Sequence, residues 1–188
     1  MSLDAREEHA RGTGREPRLE GWTSVVYMTF SLRLRPVEAS DLDSFFVHQQ
    51  DQDANHMAAF GAKDPFDRGV FDQHWQYILN EDSIVARTIE VDGSVAGHIL
   101  SFIEDDVRSL SYWLGKEFWG RGITTAAVEK FLQDFPERPL RARAVADNEA
   151  AVRILTGRGF TEMGEERSFA TSRGEVVREV ILELGEDA

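Results

Sequence analysis

Leu110-Ser111-Tyr112-Trp113-Leu114 runs into Gly115-Lys116-Glu117-Phe118-Trp119-Gly120-Arg121-Gly122, and Ile123-Thr124-Thr125-Ala126 follows. A strand-like run, a glycine-rich turn and the start of a helix come in that order. The first helical N–H groups have no internal partner and carry the positive end of the helix dipole. Glycines at 120 and 122 let a ligand approach the main chain closely. The arrangement suits an anion such as a phosphate, with Arg121 able to add a charged contact. Three readings fit: a structural turn whose glycines serve packing, a nucleotide P-loop, and a pyrophosphate cradle. The P-loop reading has Gly115 and Gly120 at the right spacing. However, Arg121 stands where its lysine belongs, and Gly122 where a Ser or Thr would hold magnesium. The glycine spacing also departs from the dinucleotide-binding fingerprint.

A second motif, Asp147-Asn148-Glu149-Ala150-Ala151-Val152-Arg153-Ile154-Leu155-Thr156-Gly157-Arg158-Gly159-Phe160, decides for the cradle. With Tyr112-Trp113-Leu114 and Trp119-Gly120-Arg121-Gly122-Ile123-Thr124-Thr125 it resembles the GNAT family of N-acetyltransferases, especially its ribosomal-protein-alanine (RimJ/RimL-type) branch. Leu32-Arg33-Leu34-Arg35-Pro36-Val37, followed by Ala39-Ser40-Asp41-Leu42, is similar to that branch too. The resemblance spans Leu32 to Leu184. It implies acetyl-CoA as cosubstrate and an amine, either a protein N-terminus or a small molecule, as acceptor.

By that resemblance, Tyr112, Trp113 and Leu114 bond the pantetheine arm through their main chain like an added strand. Trp119, Gly120, Arg121, Gly122, Ile123, Thr124 and Thr125 hold the pyrophosphate. Asn148 contacts the pantetheine amides, and Arg153 approaches the adenosine phosphates. Asn148 also suits an N-cap, and both roles can hold together. A main-chain N–H near Leu114 is the implied oxyanion donor. Proton handling is less legible. Many relatives begin the Tyr-Trp strand with a glutamate where this chain has Ser109, and their usual acid, a Tyr or Ser, falls on Leu155 or Ala151. Glu104, beside that strand on a turn, remains as a candidate base. So does His98, whose ordinary pKa near 6.5 suits the task, while Ser111 is a residue that can order a water. Glu104 also reads as part of a solvated turn, and His98 as a satisfied sheet histidine. Phe60, Phe71, Trp75, His56 and Met57 fall in the acceptor region, with helical core the rival role for Phe71 and Trp75. A non-catalytic acyl-CoA-binding module is the alternative to an enzyme, given the missing acid and base.

The elements that must position these groups follow from hydrophobic period and punctuation. Phe30–Arg35 alternates as a strand and Pro36 ends it. A helix begins at Ser40 as N-cap, with Asp43 in the capping-box position and Leu42, Phe45, Phe46 and Gln49 inward. A second helix carries Phe66, Val70, Phe71, His74, Trp75 and Ile78. Ile84–Val91, Val95–Ile103 and Ser109–Leu114 form a meander, with Asp92-Gly93 as a hairpin turn. A helix over Thr124–Phe135, a strand over Leu140–Ala146 and a helix over Asn148–Arg158 follow. Phe160–Met163, Ser168–Thr171 and Val176–Leu184 supply the last strands. The fold class expected is α/β (α+β): one mixed, mostly antiparallel twisted sheet flanked by helices. The family resemblance adds a splay at the central strands.

The chain has 188 residues, enough for one such domain, with 41% hydrophobic residues. Its net charge of −13 (21 basic against 34 acidic residues) argues against nucleic-acid binding. The acidity favours a cationic partner, or serves solubility alone. There is no cysteine, hence no thiolate metal site or Cys nucleophile, and no metal is expected. No apolar run reaches membrane-spanning length, and the first residues are charged where a signal peptide needs an apolar core. A cytoplasmic protein without a membrane partner is the expectation. Residues 1–27 form a polar N-terminal arm, in which Trp22 is a candidate docking residue and Met28 an alternative start. Residues 28–188 form the acetyltransferase domain. Docking of the arm on a neighbour would imply a homodimer.

Overall fold

The computed structural model describes residues 30–186, so the readings of the 1–27 arm, Trp22 and Met28 lie outside the described residues. The elements are β1 (Leu32–Pro36), α1 (Asp41–His48), α2 (Gln52–Ala58), α3 (Arg68–Asn80), β2 (Val85–Val91), β3 (Ser94–Glu104) and β4 (Val107–Leu114). Then come a short 3-10 turn (Lys116–Phe118), α4 (Ile123–Asp134), β5 (Leu140–Val145), α5 (Glu149–Thr156), β6 (Thr161–Ala170) and β7 (Glu175–Leu184). The strands form one sheet in the order β1-β2-β3-β4-β5-β7-β6, antiparallel except where β4 meets β5.

Turn chemistry sets the meander. Asp92 and Gly93 join β2 to β3, and Asp105 and Asp106 join β3 to β4. All four have positive φ, the twist that lets a two-residue loop follow a right-handed ribbon. One apolar core lies between the sheet and helices α4 and α5, where Ile99, Ile123, Val128, Phe131, Leu155 and Leu182 are buried. A second, on the opposite face, packs Phe45 of α1 and Phe71, Trp75 and Ile78 of α3 against Leu100 of β3.

Four local readings are corrected. Ser40 makes no side-chain cap; the capping-box reading fails because Asp41 turns inward instead. Its carboxylate accepts from both Arg35 terminal nitrogens (2.6 and 2.8 Å), the Thr88 hydroxyl (2.6 Å) and the Glu38 amide (2.9 Å). Residues 52–58, assigned no element from the hydrophobic period, are helix α2, capped by Asp51, which accepts from the Ala54 amide. Phe66 and Val70 are exposed because α3 starts only at Arg68, capped by Asp67, and turns Phe71, Trp75 and Ile78 inward. The segments Phe160–Met163 and Ser168–Thr171 merge into one strand, β6, whose register shifts between Glu162 and Gly164.

Candidate active site

After β4 the chain passes through the 3-10 turn to the start of α4. Trp119 is folded back on it, its indole Nε1 donating to the Leu114 carbonyl at 2.9 Å. Gly120 (φ 71°) and Gly122 (φ 76°) lie in the left-handed region, and a Cβ on either would point into open space. That conformation turns the chain into α4 with Gly122 as N-cap, and the first turn of α4 carries no acidic side chain. The Ala126 amide is the first to bond back, to the Gly122 carbonyl at 3.1 Å. The amides of Ile123, Thr124 and Thr125 precede it at the positive end of the helix. Ile123 contributes main chain only, since its side chain is buried in the core. Arg121 is exposed, its guanidinium 3.7 Å from Asp92.

Beside this turn the sheet parts. β4 and β5 pair at only three positions, Arg108–Leu110 with Leu140–Ala142. Beyond them β4 keeps its bonds to β3 alone. The Gly115 amide donates to the Ala96 carbonyl, so by alternation the Trp113 and Ser111 amides face β3. The amides of Tyr112 and Leu114 face the gap. Gly97 permits the close β3–β4 approach here, because a Cβ would sit 2.0 Å from the Trp113 carbonyl oxygen.

A cavity of about 920 Å³ runs through the gap. Successive β4 residues, Ser109 to Trp113, line it although their side chains point to opposite faces of the sheet, which an unpaired strand edge makes possible. On the α1–α3 side its wall is aromatic: the His98 ring stands 4.9 Å from both the Phe45 and the Trp75 ring. Phe60, Phe71, Phe102 and Met57 complete that wall. Toward β5 it becomes charged. Arg143 donates to Glu166 at 2.6 Å and lies 3.7 Å from Glu104. The Glu166 hydrogen bond raises Arg143 against the opposing effect of burial. Glu179 of β7 is buried in the same wall.

The rim is stapled. Asn148 accepts from the Ala151 amide, capping α5, and donates through Nδ2 to the Met57 carbonyl at 3.1 Å. Arg173, in the β6–β7 turn, donates to the His56 carbonyl at 2.7 Å and makes two bonds to Asp147 at 2.6 and 3.0 Å. The Ser172 amide donates to the Ala59 carbonyl at 3.0 Å. Helix α2, the β5–α5 loop and the β6–β7 turn are therefore tied to one another.

Residues 31–161 match the acetyltransferase (GNAT) domain family, most of the described chain. The chain belongs to the GNAT acetyltransferase family. No curated protein sequence matches it. Solved GNAT structures share its fold at low identity. Spermidine N-acetyltransferase from Vibrio cholerae, in complex with CoA and spermine, is 13% identical with a TM-score of 0.73, over 83% of this chain and 96% of that one. Mycobacterium smegmatis RimJ, in complex with CoA-disulfide, is 18% identical with a TM-score of 0.71, over 83% and 82%. The microcin C7 self-immunity acetyltransferase MccE, in complex with acetyl-CoA and AMP, is 18% identical with a TM-score of 0.65, over 82% and 92%.

Within this GNAT fold, the residues singled out in the sequence fall into two groups. Tyr112, Trp113, Leu114 and the 119–125 turn are contiguous along the gap. Asn148 is engaged in its cap and in the bond to Met57, and Arg153 is exposed and paired with Glu149 at 2.9 Å. His98, Ser111 and Glu104 share one face but are spread along it: alternation along β3 aligns His98 with Glu104, six residues on, and register sets Ser111 opposite Leu100. All three line the cavity. The reason given for His98 as a base does not survive its surroundings. Burial, with His48 and His74 nearby, pushes it down to about 3, so it is neutral and a weak proton acceptor. Burial likewise pushes the unpartnered Tyr112 hydroxyl up to about 12. Ser109, Ala151 and Leu155, the residues that the resemblance sets at the base and acid positions, all line the cavity.

Arg143 and Glu179 were missed. The available signal was parity: Arg143 alternates with Ala142 and Ala144, and Glu179 shares a face with buried Val177. Among the described residues, no group of three His, Cys, Asp or Glu is placed to hold a metal, and no helix is long and apolar enough to cross a membrane.

Proposed function

We propose that this protein is an acetyl-CoA-dependent N-acetyltransferase acting on a primary amine by direct attack in a ternary complex. The observation that carries the reading is the gap between β4 and β5. On one flank stands a main-chain anion cradle, and through the gap opens a cavity with carboxylates on its wall. The residues fit coenzyme A. Positive-φ glycines leave open space where a Cβ would stand, the first turn of α4 holds no carboxylate, and the free edge of β4 offers Tyr112 for strand-like pairing to a pantetheine arm. Bound acetyl-CoA supplies an acyl thioester activated towards attack by a neutral amine.

The chain's own groups then act as follows. Trp119 takes up the Leu114 carbonyl and leaves the Leu114 amide facing the gap, where it serves as oxyanion donor. Ser111 holds a water in the cavity. Glu104, four β3 residues beyond the position opposite Ser111, receives the proton through a file of waters along the cavity, with Arg143 holding its carboxylate in place. His98 stays neutral and shapes the aromatic wall. With His98 held neutral, the acid limb of kcat/KM follows the ammonium pKa of the acceptor. The RimJ/RimL-type branch is the one its Tyr-Trp-Leu and Trp-Gly-Arg-Gly motifs favour, and the cytoplasm is its proposed location.

A second reading, a non-catalytic acyl-CoA-binding module, is favoured by Ser109, Ala151 and Leu155 at the usual proton-handling positions. A thiol-release assay with acetyl-CoA, over small amines and peptides with free N-termini, separates the two. Turnover with any of them supports the enzyme, whereas tight CoA binding with no turnover on the whole panel selects the binding module.

A further inference from the structure

The charged end of the cavity contains more carboxylate than its own cations can serve. Glu179 is only 6% exposed, yet its side chain makes no hydrogen bond or ion pair to any described residue. It lies directly opposite Glu166 on the neighbouring strand, a like-charge pairing that is unfavourable unless a cation intervenes. The single candidate is Arg143, already committed to Glu166 at 2.6 Å and shared with Glu104 at 3.7 Å. Among the residues lining the cavity, Arg143 is the one Arg or Lys. A nearly buried carboxylate with no direct partner is an unfavourable arrangement in a protein on its own. Because Glu179 lines the cavity wall, a ligand cation entering there can complete it.

Position supplies the second half of the argument. Glu179 pairs with Val145 across β5–β7, one strand beyond the gap. Two strand spacings, the first widened by the splay, put it on the order of 10 Å from the free edge of β4. That is too far for Glu179 to hold the nitrogen that attacks at that edge. It is within reach of a second cationic centre on the same small molecule, joined by a short apolar spacer lying along the Phe102 and Trp113 side of the cavity.

We propose that Glu179 anchors a second positive charge of the acceptor, so that the preferred substrate is a small aliphatic diamine or longer polyamine. This rests on the acetyltransferase reading above, and deepens it by naming the substrate class. The staple formed by Asn148 and Arg173 across the rim is consistent with a compact acceptor.

The test compares butane-1,4-diamine with butan-1-amine, which differ by the second ammonium. Calorimetric binding to the protein without CoA is measured beside thiol release with acetyl-CoA. One charge-assisted hydrogen bond is worth a factor of roughly 10 to 100, so the diamine is expected to bind and to give kcat/KM better by that factor. In Glu179→Gln, a near-isosteric change, this advantage should vanish through KM, leaving kcat, the monoamine and CoA affinity unchanged. Equal affinity of the two amines for the unaltered protein overturns the proposal without any variant. A preference that persists in Glu179→Gln overturns it too, since the cation is then held elsewhere. Selective diamine binding that depends on Glu179 but comes without turnover would support the anchor while refuting the acetyltransferase reading.

Discussion

The two flanks of the gap are built in opposite ways. The anion cradle is one contiguous segment, Tyr112 to Thr125, and its working groups are amides. The acceptor cavity is assembled from side chains on α1, α2, α3, β3, β5 and β7, brought together only by the fold. A site made of main chain is governed by backbone conformation and tolerates side-chain change. A site made of side chains depends on the identity of each residue and on whatever holds its elements together.

That contrast can be broken at its strongest point by Gly122→Val. Forcing a β-branched residue to φ 76° costs about 1–2 kcal/mol and places a side chain in the cradle. CoA affinity should fall by roughly tenfold or more, with amine binding kept. Because the Cβ meets no protein atom within 4 Å, the melting temperature should drop by no more than about 4–8 °C. Unchanged CoA affinity in calorimetry would remove the cradle from its role.

Next in size is Arg173→Ala, which unties α2 from Asp147. The Arg173 side chain is 4% exposed but its partner Asp147 is 62% exposed, so the loss is set at about 2 kcal/mol. The amine KM should rise while the CoA dissociation constant stays put. A change in CoA affinity with KM unaltered would show the rim serving the other flank.

Acid stability sharpens the comparison further. Burial lowers His98 and His48, and local desolvation the more exposed His74, below their ordinary 6.5, so as pH falls below 6.5 the unfolded chain binds protons that the native fold excludes, for His98 down to about 3. Stability is therefore lost as pH falls through that window. Asp41 adds to the loss lower down. Burial would raise it, but Arg35 and Thr88 outweigh that and hold it below its usual range. In His98→Asn the loss between pH 7 and 5 should shrink by up to about 2 kcal/mol, or roughly 4–8 °C in melting temperature. Identical melting profiles would place the acid sensitivity elsewhere.

The smallest effect belongs to Arg121→Ala. An exposed guanidinium 3.7 Å from Asp92 should contribute under about 1 kcal/mol, a few-fold in CoA affinity. A loss approaching that of Gly122→Val would mean that the side chain, not the main chain, does the binding.

The same contrast explains how much was legible beforehand. Glycines at 120 and 122 and the hairpin glycine at 93 are local requirements, visible wherever they occur. One mixed sheet, splayed at its central strands, followed from element order and resemblance, whereas the strand order and the three-position β4–β5 pairing did not. Helix α2 was hidden because Gln52-Asp53-Ala54-Asn55 is polar and short. Its stability comes from the Asp51 cap and from contacts with Asn148 and Arg173, about 90 and 117 residues away. Ser40 looked like a cap, but Asp41 found a better use in the buried Arg35 pair. His98 misled for a related reason: its ordinary titration range says nothing about two aromatic rings folded against it. Glu179 shows that parity was available all along, since a carboxylate on the same strand face as Val177 is an inward charge.

The shortness of the β4–β5 pairing reaches beyond the site. The strands on the β4 side of it come from residues 32–114, and those on the β5 side from residues 140–184. Only three ladder positions stitch these two stretches together; beside the polar staple of Asn148, Ser172 and Arg173 to residues 56–59 at the rim, the remaining cohesion is apolar, through Ile123 and Phe131 against Leu140, Leu155 and Leu182. Such contacts are non-directional, so they yield to small displacements without snapping. Cut at Glu137, the chain should therefore behave as two complementing fragments that find each other by greasy contact and are then fastened by the rim staple, so a fragment pair carrying Arg173→Ala should associate more weakly.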